Sequence, residues 1–325
     1  MSGSDNRNAT NKTEVSSLVA SSECTPWIVV LISECVAIVV LNLITMAVFM
    51  TQRQMQRRGA YIFIRNLTMT DVLAGVISGP LQIERIGQHC DAWEYTYDES
   101  SWADLIKFAF LHIFSFASLA NLAVISLERV HATYRPSRHL FMSRRVYYVT
   151  IAIIWLIAII REALQITLGK MPFQDGGKIP LVINSALYIA YYLLVLLVVC
   201  ICYTSIFIKV RFGPRMNRLD NGVIMRERQL SATLFAVTVA SLITLLPVIT
   251  YICLGLFHPD FTSPQSPVKF HLRMFALTCF ISNSLVNPII YALRMQGFRT
   301  GVRNLLCGGA PADANMAAIS LQENP

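Results

Sequence analysis

The sequence CFISNSLVNPIIY, residues 279–291, places two asparagines, two serines and a proline inside an apolar segment, residues 268–293, that is long enough to cross a membrane. Pro288 has no amide hydrogen and its ring clashes with the preceding turn, so a helix must bend there. Asn283, Ser284 and Asn287 are close enough to satisfy the freed backbone groups. The stretch predicts a bent membrane helix with polar groups at its centre.

The composition of the whole chain agrees with a membrane protein. Of its 325 residues, 54% are hydrophobic and 14% are charged, whereas about 25% of a soluble domain is charged. Seven apolar segments are long enough to cross about 30 Å of hydrocarbon, at residues 27–50, 60–83, 102–128, 146–168, 181–210, 229–257 and 268–293. We therefore predict an all-α membrane protein, a seven-transmembrane helix bundle.

The distribution of charge predicts the orientation of the bundle. Connections after the first, third and fifth segments are rich in arginine, and those on the other side carry most of the loop acids. The positive-inside rule makes the arginine-rich side cytoplasmic, so the N-terminus is predicted to be extracellular. The net charge of +8 then reflects loop topology and does not indicate nucleic-acid binding.

Both tails have features typical of a plasma-membrane protein. Residues 1–26 form a polar extracellular tail whose sequons at Asn8 and Asn11 either carry glycans or occur by chance. Residues 294–307 predict a short cytoplasmic amphipathic helix that lies on membrane lipid. Cys307 is a candidate for palmitoylation, and an unmodified thiol is the alternative. We expect residues 308–325 to be disordered.

Polar, aromatic and proline residues recur in these segments in a recognisable order, namely Asn42, Asn66, Asp71, Glu128, Arg129, Trp155, Tyr203, Pro247, Asn287, Pro288 and Tyr291. Over roughly residues 27–306 the chain resembles the rhodopsin-like (class A) G-protein-coupled receptors. Leu245 stands where that family usually has tryptophan, and Val195 where it has proline. The absence of the family's third-helix cysteine and fifth-helix proline, together with a very short second outer loop, makes the chain most similar to the branch of melanocortin, lysophospholipid, cannabinoid and adenosine receptors. The resemblance implies an extracellular ligand and a heterotrimeric G protein as partners.

The resemblance also implies a sodium site in the middle of the membrane. A carboxylate at this depth costs about 2.5–3.5 kcal/mol on insertion scales, so Asp71 needs a partner inside the bundle. We expect Asp71, Ser118, Asn283, Ser284 and Asn287 to converge there, with oxygen ligands suited to a hard cation. A hydrated polar network without an ion is the alternative. No other cofactor is expected.

At the cytoplasmic end, the resemblance implies a coupling network of Glu128, Arg129, Tyr203, Glu227 and Tyr291. Arg129 is expected to pair with Glu227 and so to hold the third and sixth helices together in the resting state. Outward movement of the sixth helix would then expose Arg129 to the G protein. For Glu128 and Arg129, an ordinary boundary pair is the alternative.

The ligand stays open at this point. Leu111 occupies the position of the aspartate in amine receptors and Ile281 that of the retinal-binding lysine, so an amine held by that contact and retinal are both unexpected. Candidate ligand-pocket residues are Lys107, Leu111, His112, Arg161, Glu162, Gln165 and Arg273. The alternative is that Arg273 is a solvated rim residue and that Arg161 and Glu162 satisfy each other. A peptide, a lipid and another small molecule all suit the mixed charge.

Only Cys24 and Cys90 are extracellular in the predicted topology, and that compartment is oxidising, so we expect a disulfide between them. The usual bridge of the family cannot form, because Asp104 stands at the third-helix position.

No metal-ligand, phosphate-loop or nucleophile-elbow motif is present, so we do not expect an enzyme. A membrane transporter or ion-conducting protein is the alternative class, since ionisable groups within membranes also mark ion pathways.

Overall fold

A computed structural model of the chain describes residues 21–52, 59–90, 102–170, 178–212, 221–258 and 267–307. Within these ranges the chain is helical, and seven helices are long and apolar enough to cross a membrane. The predicted fold class is confirmed. The sequons at Asn8 and Asn11 and the tail at residues 308–325 lie outside the described residues.

The spanning helices follow the predicted segments and are longer at several ends. The first is Ser21–Thr51, the third Trp102–Tyr134, the fourth Arg144–Lys170, the fifth Lys178–Phe212, the sixth Asn221–Phe257 and the seventh Pro267–Arg294. The second consists of Ala60–Leu73, a π-helical turn Ala74–Ser78 and Gly79–His89. Two shorter helices are Pro136–Leu140, which was not expected, and Gln296–Cys307. Residues 21–26, expected to belong to the tail, begin the first helix.

The pattern of burial is that of a protein that lies in lipid. Large apolar side chains face outward, as shown by Ile160 and Leu194, each 58% exposed. Strongly polar side chains lie inside, and Asn42 and Asp71 are completely buried. Because lipid offers polar groups no hydrogen bonds, this arrangement lets the bundle satisfy them internally.

The π-helical turn in the second helix separates Asp71 from the outer half of that helix. Pro80 follows the turn and has no amide hydrogen to donate to the carbonyl of Val76, one turn earlier. Within the turn, Ser78 Oγ donates a hydrogen bond to the carbonyl of Phe110 in the third helix, at 2.8 Å. The extra residue rotates the outer half of the helix relative to the inner half.

The short helix Gln296–Cys307 packs under the end of the first helix. Phe298 is buried against the rings of Phe49 and Tyr291, with centroids 5.7 and 6.1 Å away. Leu305, Leu306 and Cys307 are exposed, as expected of the lipid-facing side of an amphipathic helix.

Replacement of Gly79 by alanine should destabilise the bundle, because the new Cβ would lie 2.4 Å from Cys35 Sγ in the first helix. We expect a loss of about 1–3 kcal/mol from overpacking, measured as a lower midpoint of thermal unfolding of the purified protein in detergent. Adding Cys35→Ala should recover most of the loss, since the next contact is then at 3.3 Å. Cys35→Ala alone is the control, and a double variant no more stable than Gly79→Ala would contradict this packing.

Candidate functional site

Asp71 is the centre of a polar network that joins three helices. Its carboxylate accepts hydrogen bonds from Ser284 Oγ at 2.8 Å and from Asn287 Nδ2 at 2.7 Å, both in the seventh helix. Asn42 Nδ2 in the first helix donates to the carbonyl of Ser284 at 3.0 Å. The groups freed by the bend near Pro288 are thereby held by the first and second helices.

Several buried oxygens beside this network have no hydrogen-bond partner within the described residues: Asn42 Oδ1, Ser118 Oγ, Asn283 Oδ1 and Asn287 Oδ1. Ser118 and Asn283 are only 2% and 6% exposed, and together with Ser284 they line the same cavity. A set of neutral oxygens near one buried carboxylate fits a hard monovalent cation or ordered water. Asp71, Ser284 and Asn287 are in direct contact, and Ser118 and Asn283 line the adjoining cavity.

The cavity lies between the first, second, third and seventh helices. Its apolar lining includes Leu111, Phe114, Leu277, Phe280 and Ile281, and its polar lining consists of serine, glutamine and asparagine side chains. None of the described lining residues is charged. Of the seven predicted ligand-pocket residues, Leu111 lines this cavity, and the other six do not.

Charged side chains lie nearer the outer end of the bundle. Lys107 Nζ is 2.6 Å from Glu84 Oε1, and both side chains are about one-third exposed. His112 Nδ1 is 2.9 Å from the carbonyl oxygen of Phe108, whose ring also lies under the guanidinium of Arg85. Arg273 is half-buried in the seventh helix. Glu84, Lys107, Arg85 and Arg273 form a charged rim above an uncharged cavity.

Arg161 forms a separate polar cluster between the third, fourth and fifth helices. Its guanidinium donates to Glu162 Oε1 at 2.7 Å, to Asn184 Oδ1 at 2.8 Å and to Gln165 Oε1. The same group lies 4.1 Å from the centre of the Phe116 ring, within range of a cation–π interaction. The contacts agree with the alternative in which Arg161 and Glu162 pair with each other or with a neighbouring helix, and Glu162 Oε2 has no hydrogen-bond partner within the described residues.

At the end of the bundle opposite the disulfide, Arg129 is 1% exposed and is held by its neighbour. Its Nε donates to Glu128 Oε2 and its Nη2 to Glu128 Oε1, each at 2.6 Å. His139 Nε2, in the short helix Pro136–Leu140, is also 2.6 Å from Glu128 Oε1. The side chain of Glu227 lies outside the described residues, so the predicted pair with Arg129 stays a prediction.

The two predicted tyrosines, Tyr203 and Tyr291, are both buried. Tyr203 Oη lies 3.5 Å from Thr238 Oγ1 in the sixth helix, and the Tyr203 ring packs against Phe235. Tyr291 is completely buried, and its ring packs against Phe49 in the first helix.

Two residues that contribute to this architecture were not among the predicted site residues. Glu34 is 8% exposed in the first helix, and its carboxylate accepts a hydrogen bond from Ser282 Oγ in the seventh. An acid inside the apolar segment at residues 27–50 was a sufficient signal for it. His139 had no such signal, because it follows Pro136 in a connection with no regular pattern.

The predicted disulfide between Cys24 and Cys90 is confirmed. It joins the start of the first helix to the end of the second, and both cysteines are buried in a cluster with Phe270 and Met274. The bridge therefore fixes three helices at one end of the bundle.

Residues 41–291 match the model of the 7 transmembrane receptor (rhodopsin family), and the chain belongs to this family. The chain is 27% identical to the human histamine H2 receptor over 97% of its own length and 89% of that receptor. It is 26% identical to lysophosphatidic acid receptor 1-A of Xenopus laevis and 27% identical to the mouse lysophosphatidic acid receptor 1, in each case over 85% of its own length and 74% of the relative. It is a multi-pass receptor of the plasma membrane.

Replacement of Arg161 by leucine should destabilise the receptor by about 3 kcal/mol, because Glu162 would be left as an unpaired buried charge. The double variant Arg161→Leu/Glu162→Leu should recover most of that loss. The measurement is the midpoint of thermal unfolding in detergent, with Ile160→Ala at an exposed neighbouring position as the control. A double variant less stable than Arg161→Leu would contradict the view that the pair is mutually neutralising.

Proposed function

We propose that the chain is a receptor that binds an extracellular ligand and activates a heterotrimeric G protein by outward movement of its sixth helix. The observation that carries this proposal is the buried Arg129, paired with Glu128 at the arginine-rich end of the bundle. A charged guanidinium is costly to bury. We infer that the buried position belongs to a closed state, and that Arg129 becomes accessible in a second, open state.

In the closed arrangement Arg129 is covered rather than available. Glu128 engages it with two hydrogen bonds, and His139 binds the same carboxylate. The fifth and sixth helices meet nearby through Tyr203 and Thr238. Outward movement of the sixth helix separates this contact and opens a space in which Arg129 meets the G protein.

The N-terminus is extracellular in this proposal. Arginine-rich connections favour the cytoplasm for the end that holds Arg129. The disulfide between Cys24 and Cys90 lies at the opposite end, and disulfides persist in the oxidising extracellular space. The ligand therefore enters from the side of the disulfide, and the short helix Gln296–Cys307 rests on lipid at the cytoplasmic face.

The uncharged cavity around Leu111 is the proposed ligand site. Its lining of aliphatic, aromatic, serine and glutamine side chains matches a ligand with an apolar body and a few neutral hydrogen-bonding groups. The cavity volume in the closed arrangement is about 30 Å³, room for one or two waters, so the lining side chains must move apart to admit such a ligand. The rim pair of Lys107 and Glu84 suits a polar head at the entrance. A monoamine held at Leu111 is disfavoured, because a cation there would have no carboxylate.

We further propose that Asp71 and its neighbours form an allosteric sodium site. Asp71 would hold the ion, and the unpartnered oxygens of Ser118, Asn283 and Asn287 are the further candidates. The bound ion supplies positive charge that neutralises the buried carboxylate. Because the same carboxylate holds Ser284 and Asn287, occupancy of the site favours the closed arrangement of the seventh helix.

A signalling assay on the unliganded chain tests the proposed function. We expect a basal cAMP or calcium response in cells, and loss of at least nine-tenths of it in Arg129→Ala at equal surface expression, because the group that meets the G protein is gone. Electrical recording of the same cells provides the comparison with a transporter. Substrate-dependent current together with an unchanged basal response in Arg129→Ala would contradict the receptor proposal.

The sodium site predicts that ionic conditions act through Asp71. Replacing sodium by N-methylglucamine at constant ionic strength should raise basal nucleotide exchange by the wild-type receptor severalfold, since the closed state loses a ligand that favours it. The Asp71→Asn variant should show no such response, and Thr68→Ala on the same helix is the matched control. A full sodium response in Asp71→Asn would exclude this site.

A further inference from the structure

The first and seventh helices meet along a continuous line of contacts that runs the length of the bundle. Near the outer end, Trp27 Nε1 donates to His271 Nδ1 at 2.9 Å. Near the inner end, the ring of Phe49 packs against Tyr291 with centroids 5.6 Å apart. Between these ends, Leu31 and Met274 share a buried cluster. The two helices therefore run parallel and in register.

Glu34 supplies the polar contact in the middle of this line. Seven residues, about 10 Å of helix, separate it from Trp27, and eight residues separate it from Asn42. Its Oε1 accepts a hydrogen bond from Ser282 Oγ, and the whole residue is 8% exposed. A carboxylate at this depth is expensive, so the contact must offset a cost that an apolar residue would not incur.

The surroundings of Glu34 hold further unused polar groups. Glu34 Oε2 and Thr278 Oγ1 are both buried and have no hydrogen-bond partner among the described residues. Thr278 lies one helical turn before Ser282, on the same face of the seventh helix. This polar patch is distinct from the Asp71 network, which holds Ser284 and Asn287 from the side of the second helix.

We propose that Glu34 is a positioning residue that holds the seventh helix against the first helix in the resting receptor, acting through Ser282. The proposal rests on the proposed signalling function. Ser282, Ser284 and Asn287 all precede or adjoin Pro288, so Glu34 and Asp71 hold the outer side of the bend from two directions. Tyr291 lies on the other side of the bend. The contacts made by Glu34 and Asp71 would therefore oppose a rotation at Pro288 that moves Tyr291 away from Phe49.

The direction of the effect follows from the state in which the contact is seen. The hydrogen bond between Glu34 and Ser282 exists in the arrangement that buries Arg129. A contact that is stronger in the closed state than in the open state shifts the balance towards the closed state. Loss of either partner should therefore raise the open population.

The experiment compares Glu34→Ala, Ser282→Ala, the double variant and Glu34→Gln, with Ser33→Ala as the matched control. Ser33 lies beside Glu34 and its hydroxyl donates to Val30 in its own helix, so its loss should change nothing. The Gln side chain keeps an oxygen that can accept from Ser282, so Glu34→Gln should stay near the wild-type level. This variant separates the hydrogen bond, which Gln keeps, from the negative charge, which it loses, and Ser282→Ala separates the bond from packing because it removes a single hydroxyl.

Two readouts are taken on purified receptor in nanodiscs. One is basal binding of a non-hydrolysable GTP analogue to a panel of heterotrimeric G proteins. The other is the fluorescence of a dye on a cysteine introduced at Gln229, near the cytoplasmic end of the sixth helix, after the exposed Cys200 and Cys307 are replaced by serine. The dye reports helix movement without any G protein, so failure of the proposed coupling is distinguishable from failure of this proposal.

We expect Glu34→Ala and Ser282→Ala each to raise the open-to-closed ratio by about fivefold to tenfold, as loss of one buried hydrogen bond implies. The double variant should be no more open than the stronger single variant, because both changes remove the same contact. Additive effects, or an unchanged dye signal in Ser282→Ala, would overturn the proposal. Ser282→Ala removes a single hydroxyl, so this variant remains testable if Glu34→Ala does not fold.

Discussion

A fully buried carboxylate, that of Asp71, determines how the centre of this bundle is arranged. Lipid cannot solvate it, so the seventh helix must bring Ser284 and Asn287 to within 2.8 and 2.7 Å of its oxygens. Those two side chains precede Pro288, where the helix cannot complete its own hydrogen bonds. The hydrogen bonds that offset the cost of burying Asp71 therefore also stabilise the bent part of the seventh helix. Asn42 in the first helix adds a hydrogen bond to the carbonyl of Ser284.

Arg129, which is buried, and Arg161, which is partly buried, follow a common rule. Arg129 and Arg161 are each bonded to an acid that is adjacent in sequence, Glu128 and Glu162, so each helix carries a nearly neutral pair into the membrane. Neighbouring positions on a helix do not normally face each other, and here the length of the arginine side chain allows the contact. The two pairs differ in their third group: His139 comes from the short helix Pro136–Leu140 at one end of the bundle, whereas Asn184 comes from the fifth helix. The Arg129–Glu128 pair therefore contacts a short helix at the end of the bundle, whereas the Arg161–Glu162 pair contacts another spanning helix.

The spans and the contacts of Asp71 could be predicted from sequence because each depends on a strong local constraint. An apolar segment must cross the bilayer, and an acid inside it must find polar groups. The cavity could not be predicted in the same way. Its position depends on the rotation of the outer second helix after the π-helical turn Ala74–Ser78, and no hydrophobic pattern reports that rotation. Arg161 and Glu162 were predicted to line the ligand pocket because charged groups inside a membrane span are costly unless paired or facing a cavity. The structure shows that they are paired, with partners in the same helix and in the next.

Leu245 lies between the proposed ligand site and the rest of the sixth helix, in a position where the family usually has the larger tryptophan side chain. Leu245 is 1% exposed and belongs to a cluster that includes Phe116 and Tyr192. Phe280 of the seventh helix packs against this cluster and also lines the cavity. Tyr192 in turn donates a hydrogen bond to the carbonyl of Leu242 in the sixth helix, at 3.1 Å. In the proposed mechanism, a ligand that displaced Phe280 would act on the sixth helix through this shared packed cluster without a large aromatic at position 245, because close-packed groups transmit displacement by contact.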